Sequence, residues 1–304
     1  MKRIICIGEC SLNIVVSPEG KPLGSMPGGR VANTAAILAD DDRFNVIMAS
    51  EVSADPVGDI LMRHLERSGV VTSSVDRFTE GRTALNVFQA PDAASAPTAV
   101  TRYEDYPEEA FDIVWPRVDE GDIVLFGGYY SIDRRMRQRM LKFLANCAER
   151  KAVLIYLPGF MPQQEPRITR VMPAILENLE MAHITVARCS DLELIFGVGD
   201  SSECYRRHID FYCRSLITID PEARLMSYYA GAEHTDVPVS ADLCRTMMWN
   251  AGAVAGIVAE TAAAGLTPDG LDAPAEPVRR RILEAAVRSA ASAAGTITRH
   301  WQEI

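Results

Sequence analysis

The segment of this 304-residue chain best suited to chemistry is Pro27-Gly28-Gly29-Arg30-Val31-Ala32-Asn33, a glycine pair opening an alanine-rich helix with an asparagine one turn in. Glycines let a backbone approach a ligand closely, and a helix N-terminus beside Asn33 offers N–H donors to hydroxyl oxygens. A plain turn and cap has the same sequence, so the segment gains meaning only from its surroundings. Other carriers of chemistry are missing. There is no G-x-x-x-x-G-K-[ST], and Gly197-Val198-Gly199-Asp200-Ser201-Ser202 reads as a loop between helices rather than a dinucleotide fingerprint. The five histidines, at 64, 183, 208, 234 and 300, have no ligand spacing, so no metal site is expected. Seven cysteines without a C-x-x-C pair read as free thiols in a reducing compartment.

The order of several short pieces is more specific than any one. Gly8-Glu9-Cys10-Ser11-Leu12-Asn13 is followed by Gly28-Gly29 to Asn33, by Glu51-Val52-Ser53-Ala54-Asp55-Pro56-Val57-Gly58, by Ser68-Gly69-Val70 and by Arg82-Thr83-Ala84. This run resembles the ribokinase/PfkB family of carbohydrate kinases, with its G-G-x-x-x-N, V-G-x-D-x-x-G and G-V segments. The likeness continues through Tyr156-Leu157-Pro158-Gly159-Phe160 in place of a D-P-N-x-R loop and Arg188 to Leu194 in place of N-x-x-E. Thr218-Ile219-Asp220-Pro221-Glu222-Ala223 stands for the nucleotide-site T-x-G-x-x-G, and Ala294 to Arg299 for the final segment.

The resemblance implies ATP-dependent phosphorylation of a sugar hydroxyl, with Mg2+, in a ribokinase-like three-layer α/β/α domain spanning 1–304. Strands near 10–18 and 83–104 would form a small β lid over the sugar. Asn13, Gly28, Gly29, Arg30 and Asn33 are the substrate-site positions; Ser190, Glu193, Thr218 and Asp220 are those near the nucleotide. The family's G-A-G-D segment, whose Asp takes the proton of the attacking hydroxyl, falls on Asp242 to Gly256. One register puts Met247 at the base position and another puts Asn250 or Ala251 there, and none supplies a carboxylate. Met cannot accept a proton and an amide has no useful basicity. Cys244 and Thr246 replace glycines of the anion hole, and Asp220 would repel a triphosphate. The expectation is therefore a sugar-kinase-like protein with no phosphotransferase activity or very little, retaining a site for a small sugar-like molecule. The alternatives are an active kinase using Asp242 as base and a regulatory or interaction subunit.

The elements that must position these residues follow an α/β rhythm. Short apolar runs at 4–8, 46–49, 122–126, 152–156, 183–187 and 215–219 alternate with helical patterns at 31–39, 133–149, 166–178 and 201–212, and helices are expected over 245–264 and 276–294. Asp55-Pro56 predicts a capped helix start, with Val57, Ile60, Leu61 and Leu65 on its buried stripe. The pair 83–88 and 98–103 reads as a hairpin outside the rhythm. A net charge of -10 disfavours nucleic-acid and anionic-membrane partners. Arg134/Arg135/Arg137/Arg139 and Arg279/Arg280/Arg281 read as solvated helix faces near Asp133 or Glu284. The apolar N-terminal run is too short for a signal or membrane segment, which predicts a cytoplasmic protein. Any homodimer is expected to form through the lid, near Val87, Phe88 and Val100.

Overall fold

The computed structural model describes residues 1–90, 99–108, 112–244 and 248–300, and their side chains except at Ala99, Cys244 and 294–300. Met247 and Thr246, the Pro/Ala/Ser-rich connection at 91–98 and the side chains of the final family-like segment lie outside the described residues.

The chain opens with β1 (Lys2–Ile7), β2 (Ser11–Val16) and β3 (Pro22–Gly28), then α1 (Arg30–Ala39), β4 (Phe44–Ser53), α2 (Pro56–Arg67), β5 (Val71–Phe78), β6 (Arg82–Gln89) and β7 (Ala99–Asp105). It continues through β8 (Ile123–Gly127), α3 (Arg134–Glu149), β9 (Val153–Leu157), α4 (Ile168–Met181), β10 (Ile184–Arg188), α5 (Cys189–Phe196), α6 (Ser201–Cys204) and β11 (Ser215–Asp220). It closes with β12 (Leu225–Ala230), β13 (Glu233–Pro238), α7 (Ala241–Cys244), α8 (Trp249–Ala263) and α9 (Glu276–His300).

The fully apolar runs become the central strands because helices bury both of their faces. Nine strands pair in the order β13-β12-β11-β10-β9-β8-β1-β4-β5, parallel from β11 to β5, with β12 and β13 antiparallel at one edge. One apolar core lies under α1, α2, α8 and α9. The other lies under α3, α4 and α5. This is the expected three-layer α/β/α architecture. From β1 the chain builds outward through β4 and β5, then restarts on β1's other flank at β8. The carboxyl ends of β1 and β8 are thus a switch point, the place where open α/β sheets hold their ligands.

A separate sheet of order β3-β2-β6-β7 supplies the lid. Asp55 caps α2 by accepting from the Gly58 amide at 2.7 Å, and its other oxygen accepts from the Thr83 amide at 2.9 Å, so one carboxylate joins a core helix to a lid strand. No residue pattern announces β3, whose Pro22 and Gly24 argue against a strand; as an edge strand it tolerates both.

Two expectations are corrected by packing. The helix read over 201–212 is α-helical only to Cys204, then turns as a π-helix over Tyr205–Ile209. Arg279 is not on a solvated face: it is buried, donating to Thr235 Oγ1 at 2.9 Å and to the Pro274 carbonyl at 2.8 Å. Its neighbours Arg280 and Arg281 pair with Glu276 and Glu260 rather than Glu284. Among the described residues no helix is long and apolar enough to cross a membrane, and no group of His, Cys, Asp and Glu could hold a metal ion.

Candidate functional site

The glycine pair joins β3 to α1. Gly29 has φ +100, and a Cβ there would lie 2.1 Å from the Glu9 carbonyl, so only glycine lets β3 turn into the helix while touching the segment that follows β1. Asn33 shares a small cleft with Cys10, Gly28 and His64, between α1 and α2. Arg30 and Thr34 face a second small cleft at the ends of β9, β10 and β11. The residues of the G-G-x-x-x-N segment therefore divide between two cavities.

The strand-end cleft is walled by Leu157, Val186, Ile219 and Val254, and its charges are already matched. Arg30 donates to Asp191 through both terminal nitrogens, at 2.7 and 2.9 Å. Arg188 grips the same carboxylate at 2.7 and 3.0 Å, and the Arg188 amide adds a bond at 3.2 Å. Burial alone would raise the Asp191 pKa, but the two guanidinium charges override it and hold the carboxyl well below its ordinary range. A Cβ on Gly159 would sit 2.0 Å from Arg30 Nη1 and 2.6 Å from Asp191 Oδ2, so the ion triad occupies the space a side chain there would need.

Ser190 and Glu193 face solvent. The i, i+3 pair that meets the cleft is Arg188 and Asp191, two residues earlier, and a register fixed on strand end rather than on residue similarity would have found it. Thr218 is buried within β11. Asp220 caps its own turn, accepting from the amides of Glu222 and Ala223 at 2.9 and 2.8 Å. Asp242 is exposed on α7. Asn250 lines the cleft at the start of α8, with Oδ1 buried and without a hydrogen-bond partner among the described residues.

Under the lid the arrangement is different. Arg102 of β7, 4% exposed, donates to Glu9 Oε2 at 3.0 Å, to Glu104 Oε2 at 2.7 Å and to Asn86 Oδ1 at 3.1 Å. Gln164, following β9, also donates to Glu9, at 2.9 Å. Asn86 donates in turn to Asn13 Oδ1 at 2.9 Å and to Ser11 Oγ at 3.0 Å. Beside this chain, at the switch point, Glu51 and Tyr130 are buried facing each other, and among the described residues neither Glu51 Oε2 nor the Tyr130 hydroxyl closes a hydrogen bond of normal geometry. Burial and the nearby Glu9 carboxylate push the Glu51 pKa well above the carboxylate range, and the Tyr130 hydroxyl facing it opposes this. Sequence reading passed over Glu51 and Arg102, yet a lone carboxylate inside the run Val46 to Val52 was a visible signal.

Structures of known proteins share this architecture. Aminoimidazole riboside kinase from Salmonella enterica, complexed with aminoimidazole riboside and an ATP analog, superposes with a TM-score of 0.75 at 14% identity, over 96% of this chain and 93% of that one. Fructokinase from Vibrio cholerae O395 in apo form gives 0.76 at 15% identity, over 99% of each chain. Fructokinase from Xylella fastidiosa gives 0.72 at 18%, over 98% and 94%. At such identities these likenesses establish the fold. None of the curated proteins matches the sequence. The family model described as pfkB family carbohydrate kinase matches residues 1–207. Two thirds of the sequence and the whole fold thus agree, and the chain belongs to the pfkB family of carbohydrate kinases.

Proposed function

We propose that this family member binds a small sugar-like molecule under its lid but transfers phosphoryl groups from ATP very slowly or not at all. The observation that carries the reading is the Arg30–Asp191–Arg188 triad. Phosphoryl transfer relies on positioning and on cations aimed at the transferring group. Here both guanidiniums are held by one buried carboxylate, the turn amides after β11 serve Asp220, and among the described residues the buried atom left without a partner in the cleft is an acceptor, Asn250 Oδ1, rather than a donor. Such a donor set does not fit a triphosphate with its Mg2+. The sequence adds that no register from Met247 to Ala251 offers a carboxylate base, and loss of a general base costs roughly 10²–10⁴ in rate. Asp242, the alternative base, is exposed, so the active-kinase reading draws its support from family membership and the kinase neighbours rather than from a base in the cleft.

The test is a coupled ADP-release assay of wild type and Met247→Asp across hexoses, pentoses, sugar acids and nucleosides. We expect both to stay far below the roughly 1–100 s⁻¹ usual for kinases, and a wild-type rate in that range on any substrate would refute the reading. The proposal extends to a cytoplasmic setting, in keeping with the six described cysteines being free thiols. It also extends to self-association through the lid around Val87, Phe88 and Val100, which are only half-buried in the single chain. Small-angle scattering that returns a monomer would remove that part.

A further inference from the structure

Asn13, Asn86 and Arg102 stand side by side across the lid: Asn13 pairs with Asn86 between β2 and β6, and Asn86 with Arg102 between β6 and β7. This row fixes which end of each amide faces which neighbour. A guanidinium has donors and no acceptor, so the Asn86 atom beside Arg102 must be its oxygen. Asn86 therefore turns its NH₂ toward Asn13, and the Asn13 atom that receives it must also be an oxygen. Arg102 cannot reverse the sequence, since Glu9 and Glu104 hold it in place and its side chain is 4% exposed. The Asn13 oxygen is further enclosed by Gly28, where a Cβ would lie 2.5 Å away. What remains is the Asn13 Nδ2 group, which has no hydrogen-bond partner among the described residues on a side chain that is only half-buried.

We infer that Asn13 meets a ligand under the lid as a donor only, so that the molecule bound there presents an unprotonated acceptor oxygen, the carboxylate or keto oxygen of a sugar acid, rather than a hydroxyl that must donate. The inference rests on the under-lid reading proposed above and names the substrate class for that site. A carboxylate accepts a charge-assisted bond from an amide N–H, roughly twice as strong as a neutral one. A hydroxyl can also accept from Nδ2, as a neutral bond without the charge assistance a carboxylate brings, and it leaves its own proton to be satisfied elsewhere.

The experiment compares matched six-carbon probes by isothermal titration calorimetry: D-gluconate and 2-keto-D-gluconate against D-glucitol. Wild type is expected to bind one or both acids at least tenfold more tightly than glucitol, the two acids separating a carboxylate contact from a keto contact. Asn13→Asp, which keeps the shape and still accepts from Asn86, presents only acceptors and is expected to invert the order. Arg102→Gln frees Asn86 to turn over and is expected to bring the ratio toward one, an independent check should the aspartate variant fold poorly. Glucitol binding as tightly as the acids in wild type, or an order unchanged in both variants, overturns the inference while leaving a sugar-like ligand under the lid. If no probe binds, the under-lid reading falls and the inference with it.

Discussion

Beneath the lid, Asn13 keeps two N–H donors without a partner among the described residues, whereas at the strand-end cleft Arg30, Arg188 and Asp220 are each tied to a neighbour or to their own turn. Both regions lie along the carboxyl edge of one sheet, and both are rich in groups that could recognise a ligand. They differ in whether recognition is already satisfied internally. A charged side chain matched by a buried counter-ion must lose that partner before it can hold anything else, which costs more than desolvating a half-exposed amide. The residues that look most like a phosphate site are therefore the ones least free to act as one.

The largest expected effect comes from removing the ion that closes the cleft. Asp191→Ala leaves two guanidiniums side by side with no counter-charge, and breaking such a buried pair costs about 3–5 kcal/mol; the lower end applies, because Arg30 and Arg188 are each about a third exposed. Urea denaturation should show a loss of about 3 kcal/mol at neutral pH. Because the folded carboxyl titrates below its unfolded value of 3.8, the stability it contributes is fully present above that value and is lost as pH falls through the folded one. The difference between wild type and variant should therefore narrow only in acid. Inorganic phosphate at constant ionic strength should restore part of the loss in the variant and none in wild type. A phosphate response in wild type would erase the contrast between the two regions.

A smaller effect tests how tightly the triad fills its place. Gly159→Ala pushes a methyl to within 2.0 Å of Arg30 Nη1. The guanidinium can move, but not while both of its terminal nitrogens hold Asp191, and overpacking of this kind costs about 1–3 kcal/mol. In an Asp191→Ala background the arginine is released and the same methyl should cost less. A double-mutant cycle reads the coupling directly, and additivity within about 0.5 kcal/mol would show that Gly159 and the triad act independently.

The fold was legible because helices on both faces force the central strands to be continuous apolar runs, and those runs are visible at Ile4 to Ile7 and Val153 to Leu157. The lid's β3 was not, since an edge strand carries Pro22 and Gly24 without penalty. Of the candidate site, the position of Gly29 followed from its need for a positive φ, a local property that sequence records. The roles of Arg30 and Asp220 did not follow, because each is decided by a partner: Asp191, distant in the chain for Arg30, and two backbone amides for Asp220. Arg102 escaped notice for the same reason, as its partner Glu9 is brought to it only by the packing of the lid.

The subtlest effect concerns the under-lid region itself and shows itself in pH. Glu51 is buried beside Glu9, and its folded pKa lies well above the unfolded value of 4.5. For a carboxyl shifted in that direction the sign is the reverse of that at Asp191. Below 4.5 both states hold the proton and the residue costs nothing through ionisation. As pH rises the unfolded state gives up its proton while the folded state keeps it, so stability falls by about 1.4 kcal/mol per pH unit until the folded value is reached. Glu51→Gln, which preserves shape and cannot ionise, should escape this slope. Denaturation curves taken from about pH 5 upward should show the variant gaining on wild type as pH rises, with the least difference at the acid end and a levelling once the folded value is passed. A constant difference across the series would mean that Glu51 is already ionised in the folded protein. The outcome bears on recognition as well as stability, because a neutral Glu51 facing the Tyr130 hydroxyl leaves one negative charge fewer near the Asn13 donors. If Glu51 is neutral, a ligand carrying a carboxylate meets less repulsion there, so its affinity should weaken relative to that of glucitol as pH rises through the folded Glu51 value, and Glu51→Gln should abolish that drift.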